Sequence, residues 1–186
     1  MEMVLAISGK RIAAPPVGAT EKPIPDLQVI ADRYRKLAEL GAQVGVIPEA
    51  EVWGFSKTMS KLGEAMLVAM ESGHPQACVL PDVYHLFKGG SGFDGLRMLQ
   101  GKAIGIFHVN DYPADKDRKA IKDADRVFPG DGVAPLKDVF RTLRDIGYRG
   151  MLSLELFNPE YYKRDAFEVV KTGLEKTRAA VKQALS

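Results

Sequence analysis

Short apolar runs and amphipathic segments take turns along nearly the whole chain, and this alternation restricts the possible folds more than any other feature of the sequence. The apolar runs are Arg11–Ala14, Val44–Ile47, Ala77–Leu80, Ala103–Val109 and Met151–Phe157, each of strand length. Between them, apolar residues recur at helical spacing. Leu27, Ile30, Ala31, Tyr34, Leu37 and Ala38 form one such stripe, which Gly41 is expected to close. Leu62, Ala65, Met66 and Ala69 form a second, within about Ser60 to Glu71. Leu136, Val139, Phe140, Leu143 and Ile146 form a third, and Phe167, Val170, Leu174, Ala180 and Val181 a fourth, from about Asp165 onward. A strand, a crossover helix and a second strand running the same way is the unit that such a pattern builds. Parallel strands are covered on both faces, which is why these runs are nearly continuously apolar instead of alternating. The expectation is an α/β chain of five parallel strands, with Met1–Ile7 as the last turns of a helix stopped by Gly9.

A length of 186 residues with 46% hydrophobic content fits one globular domain spanning residues 1–186. The 26 Lys and Arg nearly cancel the 24 Asp and Glu and are interspersed with them, so no basic stripe is present to track phosphates, and nucleic acid is not the expected partner. The single cysteine, Cys78, lies inside an apolar run, which excludes an intrachain disulfide and fits a reducing compartment. No apolar stretch approaches the roughly 18 residues of a membrane span, and the N-terminus lacks the pattern of a secretory leader. A cytoplasmic protein with no membrane partner is expected. The Lys88–Gly92 stretch is a weak match to a phosphate cradle, because no Gly-Lys-Ser/Thr step follows it.

In parallel sheets and barrels, functional side chains gather where the strands end and turn out into loops. The stretch Ala77–His85 delivers Asp82 at such an end and His85 three residues later. A plain alternative is that Asp82 caps the next element and His85 is an ordinary loop histidine. Other strands end similarly, with Glu51 or Glu49, His108 and Glu155, while Asp111 and Arg126 lie just beyond on connecting loops. Glu155, set within Leu154, Leu156 and Phe157, has the least structural reason to be there. Arg126 taken alone is equally a solvated charge, and Trp53 and Phe55 serve either as core or as a substrate platform. Three carboxylates and an imidazole converging on one volume repel one another, and a divalent cation is the simple remedy. A mostly oxygen donor set with one nitrogen favours Mn²⁺, with Co²⁺, Mg²⁺ or Zn²⁺ as alternatives. A thiolate zinc site is excluded by the cysteine count.

Several segments then occur in one order: Ala50–Gly54, Pro81–His85, His108–Asp111, Arg126–Gly132, and Gly147–Gly150 leading to Leu154–Phe157. Together they resemble the xylose-isomerase-like superfamily of (β/α)₈ barrels, in particular its sugar isomerase and epimerase group, which includes tagatose and psicose 3-epimerases and inosose dehydratase. The resemblance implies that Glu51, Asp82, His108 and Glu155 hold one divalent metal. It further implies that Glu51 and Glu155 are the catalytic pair, that His85, Arg126 and Trp53 contact a sugar or polyol, and that Asp111 orders the surrounding loop. The implied activity is metal-dependent isomerisation or epimerisation through an enediolate, with proton transfer beside a carbonyl by two carboxylates. A dehydratase acting on a keto-sugar or keto-inositol uses the same groups and is the nearest variant. A half-barrel that only binds metal or sugar is the non-catalytic alternative.

A complete barrel of this kind takes about 250 residues. The expected architecture is therefore a partial TIM barrel, about strands 4 to 8 with their helices, lacking about the first three βα units. Such a wall exposes sheet edges, which predicts either a longer enzyme or a homo-oligomer that covers the open side. Endonucleases of the same fold, which hold several zinc ions, need many histidines, and this chain has 3.

Overall fold

The computed structural model describes residues 1–186. Five strands, β1 (Arg11–Ala14), β2 (Ile47–Glu51), β3 (Val79–Leu80), β4 (Ile106–Val109) and β5 (Met151–Leu154), lie in chain order and run parallel. Ladders join β1 to β2 to β3, and β4 to β5. The two groups meet through the bridges Val79↔Ile104 and Asp82↔His108, where the Gly105 amide donates to Val79 at 3.0 Å and that of His108 to Pro81 at 2.9 Å. Neighbours in the sequence are thus neighbours in the sheet, as parallel crossover units require.

The helices are α1 (Glu2–Ala6), α2 (Leu27–Val44), α3 (Leu62–Glu71), α4 (Val83–Gly89), α5 (Leu136–Asp145), α6 (Pro159–Tyr162) and α7 (Ala166–Leu185). Asp26 and Asp165 start α2 and α7 by accepting the main-chain N–H groups of Gln28 and Glu168. The stripe Leu136, Val139, Phe140 and Leu143 makes α5 bury one face, and it packs against α7. The main core lies between the sheet and these outer helices. Val79, Phe107 and Val109 of the strands meet Leu62, Val68, Val83 and Leu86 of α3 and α4, each large apolar side chain there contributing about 1.5–3 kcal/mol by burial. No helix is long and apolar enough to cross a membrane.

Strands β3, β4 and β5 are shorter than the apolar runs that hold them. Strands β3 and β4 start at Val79 and Ile106 instead of Ala77 and Ala103, and β5 ends at Leu154 instead of Phe157. Three further differences from the expectation bear on the site. Helix α2 runs through Gly41 and ends at Gly45, whose φ of 75° is the left-handed conformation that suits glycine at a helix end. Gly41 is needed for a different reason, since a Cβ there would strike the Val46 carbonyl and the Pro48 ring. Strand β2 consequently starts at Ile47 instead of Val44, and its buried part is Pro48–Glu51, including two glutamates. His85 lies in the first turns of α4, not in a loop.

Candidate active site

All five strands present their carboxyl ends to one side, and a cleft of about 670 Å³ opens there. Its walls include Glu51, His108 and Glu155 from strand ends, His85 from α4, Arg126 from a loop, and the rings of Trp53, Phe55 and Phe157. A smaller apolar cavity of about 150 Å³, between β1, α2 and α3, is lined chiefly by residues such as Ile30, Leu37 and Met59 and gathers no cluster of carboxylates or histidines.

Asp82 follows β3 and begins α4. Its Oδ1 accepts the main-chain N–H of His85 at 2.8 Å, so it is the helix cap of the plain alternative. Its Oδ2 points the other way, 3.8 Å from His108 Nδ1. Glu155 leaves β5 one residue past its end and carries an oxygen 3.3 Å from the same His108 nitrogen. Ligand-capable atoms of Asp82, His108 and Glu155 lie within 4.8 Å of one another, and so do those of Glu51, His85 and Glu155. Glu155 is common to the two groups.

His108 Nδ1 is buried and has no hydrogen-bond partner despite these neighbours. A buried polar atom without a partner is costly unless something else satisfies it. Here it faces two carboxylates, which is the arrangement that a cation with oxygen and nitrogen ligands completes. Asp82, His108 and Glu155 therefore fit a divalent ion, and Glu51 stands within reach of Glu155 on the same cleft.

The carboxylates are held in different electrostatic environments. Burial, reinforced by the negative charge of Glu155, pushes Glu51 up to about 7. Burial acts on Glu155 in the same direction, but His108 and the Arg126 guanidinium outweigh it and hold Glu155 down at about 2. His108 itself is raised, burial being overcome by the carboxylates around it, whereas burial lowers His85.

Arg126 is wholly enclosed. Its Nη1 donates to Glu155 Oε2 at 2.7 Å and to Asp82 Oδ2 at 3.2 Å, and its Nη2 donates to Asp123. Tyr84 stacks under the guanidinium, with its ring centroid 4.3 Å from Cζ. The donors are therefore directed at protein carboxylates. His85 has its Nδ1 facing the Gly54 amide at 3.2 Å and its Nε2 facing Arg126 Nη2 at 3.1 Å. Trp53 and Phe55 lie with ring centroids 5.2 Å apart, and Phe55 meets the edge of His85.

Asp111 is buried and collects four main-chain N–H groups, from Tyr112 and Ala134 at 2.8 Å, Gly130 at 3.0 Å and Gly132 at 3.1 Å. It fixes the segment 128–134 against the end of β4. Gly132 permits this, because a Cβ there would collide with the Tyr112 carbonyl and the Asp111 carboxylate.

Two polar residues and one aromatic at this end have no role predicted from the sequence. Asn110, wholly buried, bonds to Asp82. Asp123 pairs with Arg126 at a separation of three residues, a spacing visible within Asp123-Ala124-Asp125-Arg126 but masked by the surrounding run of charges. Phe157 places its ring 5.1 Å from the guanidinium carbon of Arg126.

Comparison with known proteins follows the same lines. A family model described as a xylose isomerase-like TIM barrel matches residues 1–180. An inosose isomerase of Bacillus licheniformis is 32% identical over 181 residues, covering 95% of this chain and 64% of that protein. A 3-dehydroshikimate dehydratase of Pseudomonas putida is 25% identical over 134 residues, 72% of this chain and 21% of that protein. Among solved structures, the IOLI protein with a binding zinc atom superposes with a TM-score of 0.90 at 27% identity, over 98% of this chain and 66% of that one. The chain thus spans just under two thirds of the length of this inosose isomerase and of the zinc-binding structure.

Proposed function

The chain belongs to the xylose isomerase-like TIM barrel family, and from that premise we propose that it carries the metal-holding, proton-transferring side of a carbohydrate isomerase or epimerase. Five strands of an eight-stranded barrel are close to the share of the relatives that the chain spans, which supports reading them as part of such a barrel. The substrate class is a keto-inositol or keto-sugar, the first of these suggested by the inosose isomerase relatives.

The observation that carries the proposal is the pairing of Glu51 and Glu155 on one cleft, with oxygens within 4.8 Å, beside the unpartnered Nδ1 of His108. Asp82, His108 and Glu155, joined by Glu51, would hold the ion. A divalent metal supplies a Lewis acid that lowers the cost of forming an enediolate from a carbonyl and its neighbouring hydroxyl. The oxygen-rich donor set makes Mn²⁺ the first choice, and the zinc of the IOLI structure makes Zn²⁺ the competitor to test beside it. Glu155 takes the proton from the carbon next to the carbonyl, and Glu51 returns one from the facing side. Arg126 keeps Asp82 and Glu155 oriented, while His85 and Trp53 contact the polyol.

The dehydratase relative favours a second reading, in which the same groups expel a hydroxyl β to the carbonyl. Incubation of the metal-loaded protein with a ketose or keto-inositol in D₂O separates the two. Deuterium beside the carbonyl of an undehydrated product is expected, and a dehydrated product would move the assignment to the lyase. No exchange and no product from protein shown to hold metal would overturn both.

A further inference from the structure

We propose that Asn110 is a positioning residue that aims Asp82 into the metal site, an inference that rests on the metal reading above. Asn110 is wholly buried one residue past the end of β4. Its Oδ1 accepts the main-chain N–H of Tyr84 at 2.9 Å, in the first turn of α4. Its Nδ2 donates to Asp82 Oδ2 at 2.8 Å and reaches the main-chain oxygen of Glu155 at 3.4 Å. Tyr84 N–H can only donate, and the Asp82 carboxylate and the Glu155 carbonyl can only accept, so the amide has a single workable orientation. One side chain thereby ties together the ends of β3, β4 and β5, the three strands that deliver Asp82, His108 and Glu155.

The Asp82 carboxylate has two other donors. Oδ1 is committed to the His85 amide, which sets the start of α4. Arg126 reaches Oδ2 at 3.2 Å but sits closer to Glu155, at 2.7 Å. The bond from Asn110 is the shortest that Oδ2 receives, and it fixes the rotation of the carboxylate about its Cβ bond. Partners of this kind fix a ligand's orientation and basicity, and their loss typically weakens metal binding about 10- to 100-fold.

Asn110→Asp separates orientation from folding. It retains an oxygen to accept the Tyr84 N–H but removes both donors and sets a second carboxylate against Asp82. Titration of the metal-free protein with Zn²⁺ and with Co²⁺ should show affinity about 10- to 100-fold weaker in Asn110→Asp, with a changed visible spectrum for bound Co²⁺ and an unchanged far-ultraviolet circular dichroism spectrum. If Asn110→Asp does not fold, Asn110→Ser gives the same comparison. Affinity and Co²⁺ spectrum equal to those of the wild type in the folded variant would overturn the assignment while leaving the metal site standing. A wild-type protein that binds neither ion would overturn the metal reading and this inference together.

Discussion

The two ends of the sheet both bury charge, and they resolve it in opposite ways. Near the amino-terminal ends of the strands, Glu49 is fully enclosed and fully satisfied. Arg11 donates to its Oε1 at 2.7 Å and the Ile106 amide to its Oε2 at 2.8 Å. Tyr34 closes the neighbouring space by donating to the Pro48 carbonyl at 2.8 Å, and Gly105 leaves room for the Glu49 carboxylate that a Cβ would fill. At the carboxyl ends the carboxylates outnumber the cations that face them, and His108 Nδ1 goes without a partner. A closed network stabilises a fold, whereas an open one offers valences to something that is not part of the chain. Glu49 and Glu51, two residues apart on one strand and both buried, fall on opposite sides of that division.

The largest effect that can test the contrast is catalytic. Glu155→Gln keeps a similar shape and removes the base, so metal-dependent deuterium exchange should fall about 10²- to 10⁴-fold. The unfolding midpoint in urea should fall as well, because the enclosed Arg126 loses the charge that it faces. An equal loss in Glu49→Gln would erase the distinction between the two ends. Glu49→Ala should lower stability and leave the carboxyl-end site untouched. It strands the Ile106 N–H and releases Arg11 to solvent, costing about 1–3 kcal/mol in urea unfolding with Zn²⁺ affinity unchanged.

A smaller effect comes from pH. In metal-free protein the neutral form of Glu51 is favoured by folding, its value rising from 4.5 to about 7. Its contribution to stability is therefore fully present below 4.5 and is lost as pH rises through 7. Glu155, lowered from 4.5 to about 2, contributes above 4.5 and loses that contribution as pH falls toward 2. Thermal unfolding of the metal-free protein between pH 5 and 8 should show a decline that Glu51→Gln flattens. Zn²⁺ affinity should rise over the same interval, because the ion competes with the Glu51 proton. The smallest effect belongs to the cleft wall: Trp53→Phe should raise KM a few-fold and lower kcat by far less than the carboxylate variants. Trp53 transfers no proton and acts on Glu51 only by a side-chain hydrogen bond that favours its charged form.

The alternation of elements was legible because burial on both faces leaves an apolar signature in each run, and Phe107, Val109 and Val79 bear it. Strand β2 was misplaced by three residues because its signature is unusual. Val44, Gly45 and Val46 look like a strand and are the last residue of α2, its glycine cap and a connecting residue, whereas Pro48, Glu49 and Glu51 look like a loop and are the strand. Those glutamates are buried only by partners far along the chain, Arg11 and Ile106 for one and the His108 and Glu155 region for the other, and no local pattern encodes such pairings. The strand-end positions of Asp82, His108 and Glu155 could be inferred from the runs that precede them. The roles of Asn110 and Asp123 could not, since each depends on the direction of a hydrogen bond across neighbouring segments.

One detail of Asp82 bears on how such a protein changes over generations. Its Oδ1 caps α4 while its Oδ2 faces His108, Asn110 and Arg126, so the two duties fall on different atoms of one carboxyl group. Asp82→Asn can keep a carbonyl oxygen on the His85 amide, because asparagine caps helices about as well as aspartate. What disappears is the negative charge, together with the acceptor that Asn110 and Arg126 share. On the metal reading proposed above, this one substitution would remove a ligand and at the same time set an NH₂ against the donors of Asn110 and Arg126. A lineage could therefore not shed the ion without also disturbing the contacts that hold β3, β4 and β5 together.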